Sequence, residues 1–193
     1  MKKIYSLLLA GCLLILSLHS HAQKDSSGIY KTASDFQQKK LSYAINYKTE
    51  KHKIRDNILF NNKKIKVKHN GQTYTLDKDG TYGFKNTRGE VYRFVDGKEY
   101  RILNPDQVLL IYVYQHASHP PKEATKYPPM YYFSTDAAAV PQALTKVNLK
   151  AAFPDNHNFH DALDTQFKSD GELYDYDSFH KTYKLNRIYA NGK

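Results

Sequence analysis

The polar and apolar positions of this chain fall into two textures. From residue 41 to about 134 the apolar residues come in short strand-length runs between turn signals. Lys64-Ile65-Lys66-Val67-Lys68-His69 alternates at every position, with Ile65 and Val67 inward and three lysines outward. Asn70-Gly71 follows, the pairing favoured where both central turn residues need positive φ, and Gln72 to Leu76 pairs back with Tyr74 and Leu76 inward. Further turns at Asp79-Gly80, Thr87-Arg88-Gly89 and Asp96-Gly97 lead into Thr81–Phe84, Val91–Val95 and Glu99–Leu103. Leu41 to Tyr47 alternates as well, with Leu41, Tyr43, Ile45 and Tyr47 on one face, and Gly28-Ile29-Tyr30 opens an earlier strand. Ser34 is placed to cap a single helical turn through Lys40.

The longest apolar run outside the N-terminus is Val108 to Tyr114, bounded by Pro105 and by Pro120-Pro121. It has the length of a strand and is too short to cross a bilayer. Apolar residues at consecutive positions require burial on both faces, with Val108, Leu110, Tyr112 and Tyr114 on one side and Leu109, Ile111 and Val113 on the other. Met130 to Phe133 reads as the last strand, and Thr135 to Pro141 as a link.

From Leu144 the period changes to that of helices. Thr145 caps a helix ending at Phe153, and Asp155 a second that runs to about Lys168 with Phe159, Leu163 and Phe167 in one stripe. A third is expected from about Tyr174 to Tyr189, with Tyr176, Phe179 and Tyr183 on one side. The expectation is an α+β fold: an antiparallel meander, curled or barrel-like, with a C-terminal helical hairpin packed on it as one lid of the 108–114 strand. The regions are 1–22, 23–140 (β) and 141–193 (helical). The lysine-studded strand 64–68 suits a sheet edge.

The first 22 residues stand apart. Lys2 and Lys3 precede an apolar region from Ile4 to Leu18, and Ser20 and Ala22 supply small residues before Gln23. This reads as an export signal, placing the protein in the periplasm or outside the cell. Leu9-Ala10-Gly11-Cys12 also fits a lipoprotein site, with the chain anchored through Cys12. After cleavage at Ala22 no cysteine remains, which excludes disulfides, thiol catalysis and thiolate metal sites. No second apolar stretch has transmembrane length.

Residues 23–193 carry 27 basic and 19 acidic side chains. The sharpest excess lies in 39–69, with ten Lys or Arg against Glu50 and Asp56. Residues 155–178 are acidic, with seven acids and one base. A basic surface attracts polyanions by a salt-sensitive, sequence-independent term. Lys48, Lys51, His52, Lys53, Arg55, Lys64, Lys66 and Lys68 are therefore the candidate ligand-binding residues, for an anionic envelope glycan or another polyanion. The same cluster also reads as an ordinary solvated face.

One stretch has metal-ligand character. His157, His160, Asp161 and Asp164 share a helix face, and imidazoles with carboxylates so spaced suit a divalent ion, with His180 as a further ligand. The spacing is not the His-Glu-x-x-His of zinc proteases, and acids near a helix start also serve its dipole. His116-Ala117-Ser118-His119 lies in the proline-rich loop, yet no nucleophile-elbow motif supports a triad of Ser118, His157 and Asp161. Metal-free acid–base cleavage by His52 or His116 beside lysines has no motif either. Tyrosines interleaved with lysines at 43–48 and 92–101 suit core packing or stacking on bases and sugars.

Leu41 to Asn46, Lys48 to Ile54, Phe153-Pro154-Asp155-Asn156-His157, Phe159-His160-Asp161 and Tyr176 to Lys181 together resemble a family of small exported bacterial proteins to which no activity is assigned. The resemblance spans nearly all of the chain beyond residue 22 and implies no mechanism. It does imply that the connection at 48–54 and the His157/His160 helix belong to one design. The function expected is a non-enzymatic, exported binding or envelope-associated module. Its rival is a metal-dependent hydrolase using the His/Asp helix face.

Overall fold

The computed structural model describes residues 26–50, 54–55, 63–114 and 128–192. It is α+β, with an antiparallel eight-stranded sheet that does not close into a barrel. The strands are β1 (Ser26–Tyr30), β2 (Ser42–Asn46), β3 (Ile54–Arg55), β4 (Lys64–His69), β5 (Gln72–Asp77), β6 (Gly83–Lys85), β7 (Val91–Val95), β8 (Lys98–Ile102), β9 (Leu110–Tyr114), β10 (Met130–Ser134), β11 (Gln142–Ala143), β12 (Tyr176–Asp177) and β13 (Thr182–Tyr183). The helices are α1 (Ala33–Gln37), α2 (Lys146–Ala152), α3 (His157–Gln166) and α4 (Lys184–Asn191). The main sheet runs β11-β10-β9-β8-β7-β6-β1-β2. From β6 to β11 it is the meander the turn signals predict. β3, β4 and β5 leave it to form a second sheet, with β4 in the middle and not at an edge.

Local chemistry explains the elements. Asn70 and Gly71 take φ of 49° and 78°, and Asp96 and Gly97 take 50° and 71°, the positive values that tight hairpin turns require. Gly83 is fixed by close approach instead. A Cβ there would stand 1.9 Å from the Tyr92 carbonyl oxygen across the β6–β7 pair. Thr32, not Ser34, caps α1. The Thr32 Oγ1 accepts from the Asp35 amide and the Asp35 carboxylate accepts from the Thr32 amide, a reciprocal capping box. Thr145 caps α2 as expected. Asn156, not Asp155, caps α3, accepting from the Phe159 amide at 3.1 Å.

β9 is the strand everything else hides. Leu110, Ile111 and Tyr112 are at most 1 % exposed, as expected for a strand covered on both faces. The pairing starts at Leu110, and Val108 is 57 % exposed. On one face Ile111, with Leu109 and Phe133, meets Leu149, Phe159, Leu163, Phe167, Leu173, Leu185 and Ile188 from the C-terminal segment. This is the lid that the 3.6-residue periodicity predicts. Asn186 of α4 ties it down. Asn104 donates to Asn186 Oδ1 and to the Leu109 carbonyl, both at 2.8 Å, and accepts from the Ile111 amide at 2.7 Å. Asn186 also donates to the Leu109 carbonyl at 2.7 Å.

The opposite face packs Leu110, Tyr112, Val91, Tyr100 and Ile102 against Phe36 of α1 and Ala137. Arg93 is buried here. Its guanidinium donates to the Tyr112 hydroxyl and to the Ala138 and Ala139 carbonyls and lies 5.0 Å from the Tyr82 ring centre. It pins the 135–139 loop to the sheet.

The other end of the first face carries β4 and β5. Ile65 and Val67 are fully buried there, against Ile29, Phe84 and Phe94. At the exit of β5, buried Lys78 reaches Glu99 of β8 at 2.6 Å and lies over the Phe94 ring.

Two segments depart from expectation. Leu41 to Tyr47 does not alternate throughout, because Tyr43 takes φ of 52°, and the β1–β2 register shifts between Ser27 and Ile29. Residues 174–183 form no helix. Asp177 Oδ1 accepts from the Phe179 and His180 amides, Lys181 takes φ of 52°, and a short hairpin, β12–β13, results. Phe179, placed in an inward stripe by helical spacing, is 86 % exposed at its tip. α4 begins only at Lys184, so the C-terminal cover is two helices, a hairpin and a last helix.

Candidate functional site

Strand alternation builds the clearest surface feature. Because Ile65 and Val67 face the core, Lys64, Lys66 and Lys68 must face solvent, and all three are exposed. Successive lysines stand about 7 Å apart along the strand. Across β5 they face Asp77, Thr75 and Thr73, and across β3 Arg55 pairs in register with Lys66. One carboxylate and two hydroxyls against three ammonium groups leave the row positive. Its apolar underside, with Tyr74 against Tyr43 at 4.6 Å, holds the row flat on the main sheet. Lys48, also exposed, lies beyond β2. Lys51, His52 and Lys53, together with the Arg55 side chain, lie outside the described residues. So do His116, Ser118, His119 and residues 1–22 with Cys12 among them.

The histidine helix arranges its ligand candidates differently from the sequence expectation. His160 shares one ring nitrogen with the Phe153 carbonyl at 2.9 Å. It thereby links the end of α2 to the first turn of α3. His157 stands edge-on to it, with ring centres 5.9 Å apart, and opens onto a pocket of about 530 Å³ that Phe153, Pro154, Asn156 and Gly192 also line. Asp161 is exposed. Asp164 is engaged by Lys150 at 2.6 Å and approached by Lys146 at 3.9 Å. The Lys150 hydrogen bond, with the charges around it, holds the Asp164 carboxyl below its usual range. His180 belongs to the hairpin. Its Nδ1 contacts Asp177 at 2.7 Å and the Arg187 guanidinium at 3.2 Å. The hydrogen bonds from the His180 amide and ring hold Asp177 below its usual range too. Among the described residues no group of three or more His, Cys, Asp or Glu side chains is arranged to hold a metal ion. The helix-face spacing does bring His157 and His160 together; Asp164 is turned to lysines and His180 to its own turn.

Sequence reasoning passed over a third region. Arg101 of β8 is directly opposed to Tyr92 on one side and to Val113 on the other, and Tyr131 lies beyond Val113. The Arg101 guanidinium donates to Glu90 Oε1 at 3.2 Å. The other oxygen of Glu90 accepts from Asn86, Arg88 and the Tyr92 hydroxyl. Tyr131 stacks on Tyr174 with ring centres 3.6 Å apart, and Tyr183 meets Tyr176 edge-on at 5.3 Å. Desolvation raises the Tyr131 and Tyr183 phenols while the Arg101 charge opposes it. The interleaving at 92–101 already marks Tyr92 for stacking on bases or sugars, but nothing local ties it to Tyr131, Tyr174 or Tyr183.

No described helix is long and apolar enough to cross a membrane. No family model matches the chain, and no curated protein or solved structure matches it significantly.

Proposed function

We propose that this protein is a non-enzymatic binding module of the bacterial envelope or its surroundings, and that it captures an anionic glycan or a similar polyanion on the outer face of β4 and β5. The observation that carries the reading is the row Lys64, Lys66 and Lys68, held flat by a buried underside and projecting charge at a regular interval. A flexible lysine cluster would lose more side-chain and backbone freedom on binding than a row fixed to a strand. The pattern of Met1 to Ala22 supports export, which would bring the surface to envelope polymers. The resemblance to small exported bacterial proteins agrees with that address. The hydrolase reading has weaker support, because His160, Asp164 and His180 each have other partners.

Retention on an anionic-glycan column tests the proposal. The wild-type chain is expected to bind at low salt and to elute as salt rises, since each neutralised charge releases counterions. The triple variant Lys64→Glu, Lys66→Glu, Lys68→Glu should elute at clearly lower salt. Retention that ignores salt, or survives the triple reversal unchanged, would sink the reading.

A further inference from the structure

The two covers sit on the same face of the main sheet, one toward each end, with a narrow strip between them that is exposed at Arg101 and buried at Val113. Directly opposed residues cross that face in the order Ile29, Phe84, Tyr92, Arg101, Val113 and Tyr131. Ile29 and Phe84 lie under β4 and β5, while Tyr131 packs against the C-terminal layer. Arg101 lies between, on the fourth strand from the β11 edge, with its side chain 44 % exposed. So exposed a side chain on an inner strand means that neither cover closes over it, although Tyr183 of the C-terminal hairpin stands near enough to feel its charge.

We propose that this strip is a subsite for an acidic oligosaccharide, with one carboxylate on Arg101 and neighbouring sugars against Tyr92 on one side and toward Tyr131 on the other, three strands or about 14 Å from Tyr92. A guanidinium presents five donors in a planar fork, and one of those on Arg101 is given to Glu90. The fork suits the two oxygens of a carboxylate. Tyrosine rings offer an apolar surface with a hydroxyl rim, the same mixture that a pyranose presents. The rings are braced before any ligand arrives, Tyr92 by Phe84 at 4.9 Å and Tyr131 by Tyr174, which lowers the ordering cost of binding. Glu90 already holds one edge of the Arg101 fork, so an incoming carboxylate must use the remaining donors. The inference takes its ligand class from the anionic-glycan reading above but uses none of the same residues.

The probe is tetragalacturonate, titrated at about 0.5 M NaCl, where attraction to the lysine row is screened to within a few ångströms. Saturable binding is expected. Arg101→Gln should weaken it roughly tenfold or more, as should methyl-esterification of the probe, since each removes the charge-assisted pair. The Lys64, Lys66, Lys68 reversal should leave it within about twofold, because charges beyond a Debye length are screened. Absence of saturable binding overturns the proposal, as does an affinity that Arg101→Gln leaves unchanged. Binding lost in the lysine reversal and kept in Arg101→Gln puts the probe on the hairpin, overturning the subsite while sparing the earlier reading. Displacement by an equal concentration of oligothymidylate assigns the strip to nucleic acid and overturns it too. If Arg101→Gln fails to fold, ring-proton NMR of the wild type decides: the Tyr131, Tyr174 and Tyr183 signals must shift with the probe, and unmoved signals refute the site.

Discussion

The two ends of one sheet face are covered by different means. At the β9–β10 end the cover is deep and apolar, with Leu149, Phe159, Leu163, Phe167, Leu173 and Leu185 all at most 1 % exposed. At the β1–β6 end it is a thin sheet in which, among the described residues, only Ile65 and Val67 are fully buried side chains, and a charged pair, Lys78 with Glu99, closes its exit. A thick cover needs no charge to hold it. A thin one frees its outer surface for lysines but leans on a polar lock beneath. Stability and surface chemistry are thus divided between the two ends.

The largest test of that division is to break the lock. Lys78→Met takes the buried ammonium away from Glu99 and is expected to cost about 3–5 kcal/mol in urea unfolding. The double variant Lys78→Met, Glu99→Leu should recover most of the loss, because a buried pair and a well-packed apolar pair are often close in free energy. A small single-variant cost would mean that the thin cover stands without its lock. Next comes Leu163→Ala in the deep cover, expected to cost about 3 kcal/mol through lost burial and a residual cavity. Equal unfolding profiles for this variant and Lys78→Met, by hydrogen exchange, would erase the contrast, since local opening confined to β4 and β5 is expected only for the lock variant.

The smallest effect lies between the covers. Asn86 donates to Glu90 and holds its carboxyl below the ordinary value of about 4.5, with Tyr92, Arg101 and Arg88 adding to the effect against desolvation. A folded-state value below the unfolded one gives stability that is complete above about pH 4.5 and is lost as pH falls through the folded value. Melting temperature should therefore drop in acid more steeply for the wild type than for Glu90→Gln. Parallel acid limbs would show that Glu90 is not stabilised by the fold.

Legibility in the sequence followed range. The Asn70-Gly71 and Asp96-Gly97 turns, the Thr145 cap and the inward Ile65 and Val67 depend on neighbours a few residues away, and those expectations hold. Burial of the 108–114 run on both faces was legible because no other environment suits so many consecutive apolar residues; it holds for 109–113 and fails at Val108, which precedes the strand pairing. The 174–183 hairpin was not, since Tyr176, Phe179 and Tyr183 fit a helical stripe and only the capture of two amides by Asp177 decides against it. The Asn104–Asn186 bond spans 82 residues and the Arg93 clamp 46, so no local pattern encodes either. The same split holds for function. The lysine row is written in the alternation of one strand, whereas Tyr92, Arg101 and Tyr131 are assembled by the registers of four.

An unclosed sheet has two rims, and a bare rim is a template on which another chain can add a strand. Here β11 offers only two residues, and β2 is bent by the left-handed Tyr43 and a register slip. Among the described residues neither rim presents the long, evenly spaced row of amides and carbonyls that fibril growth copies. The main sheet thereby gains much of the protection against polymerisation that a closed barrel would give, and the longer edge is left to the six residues of β5 in the small sheet.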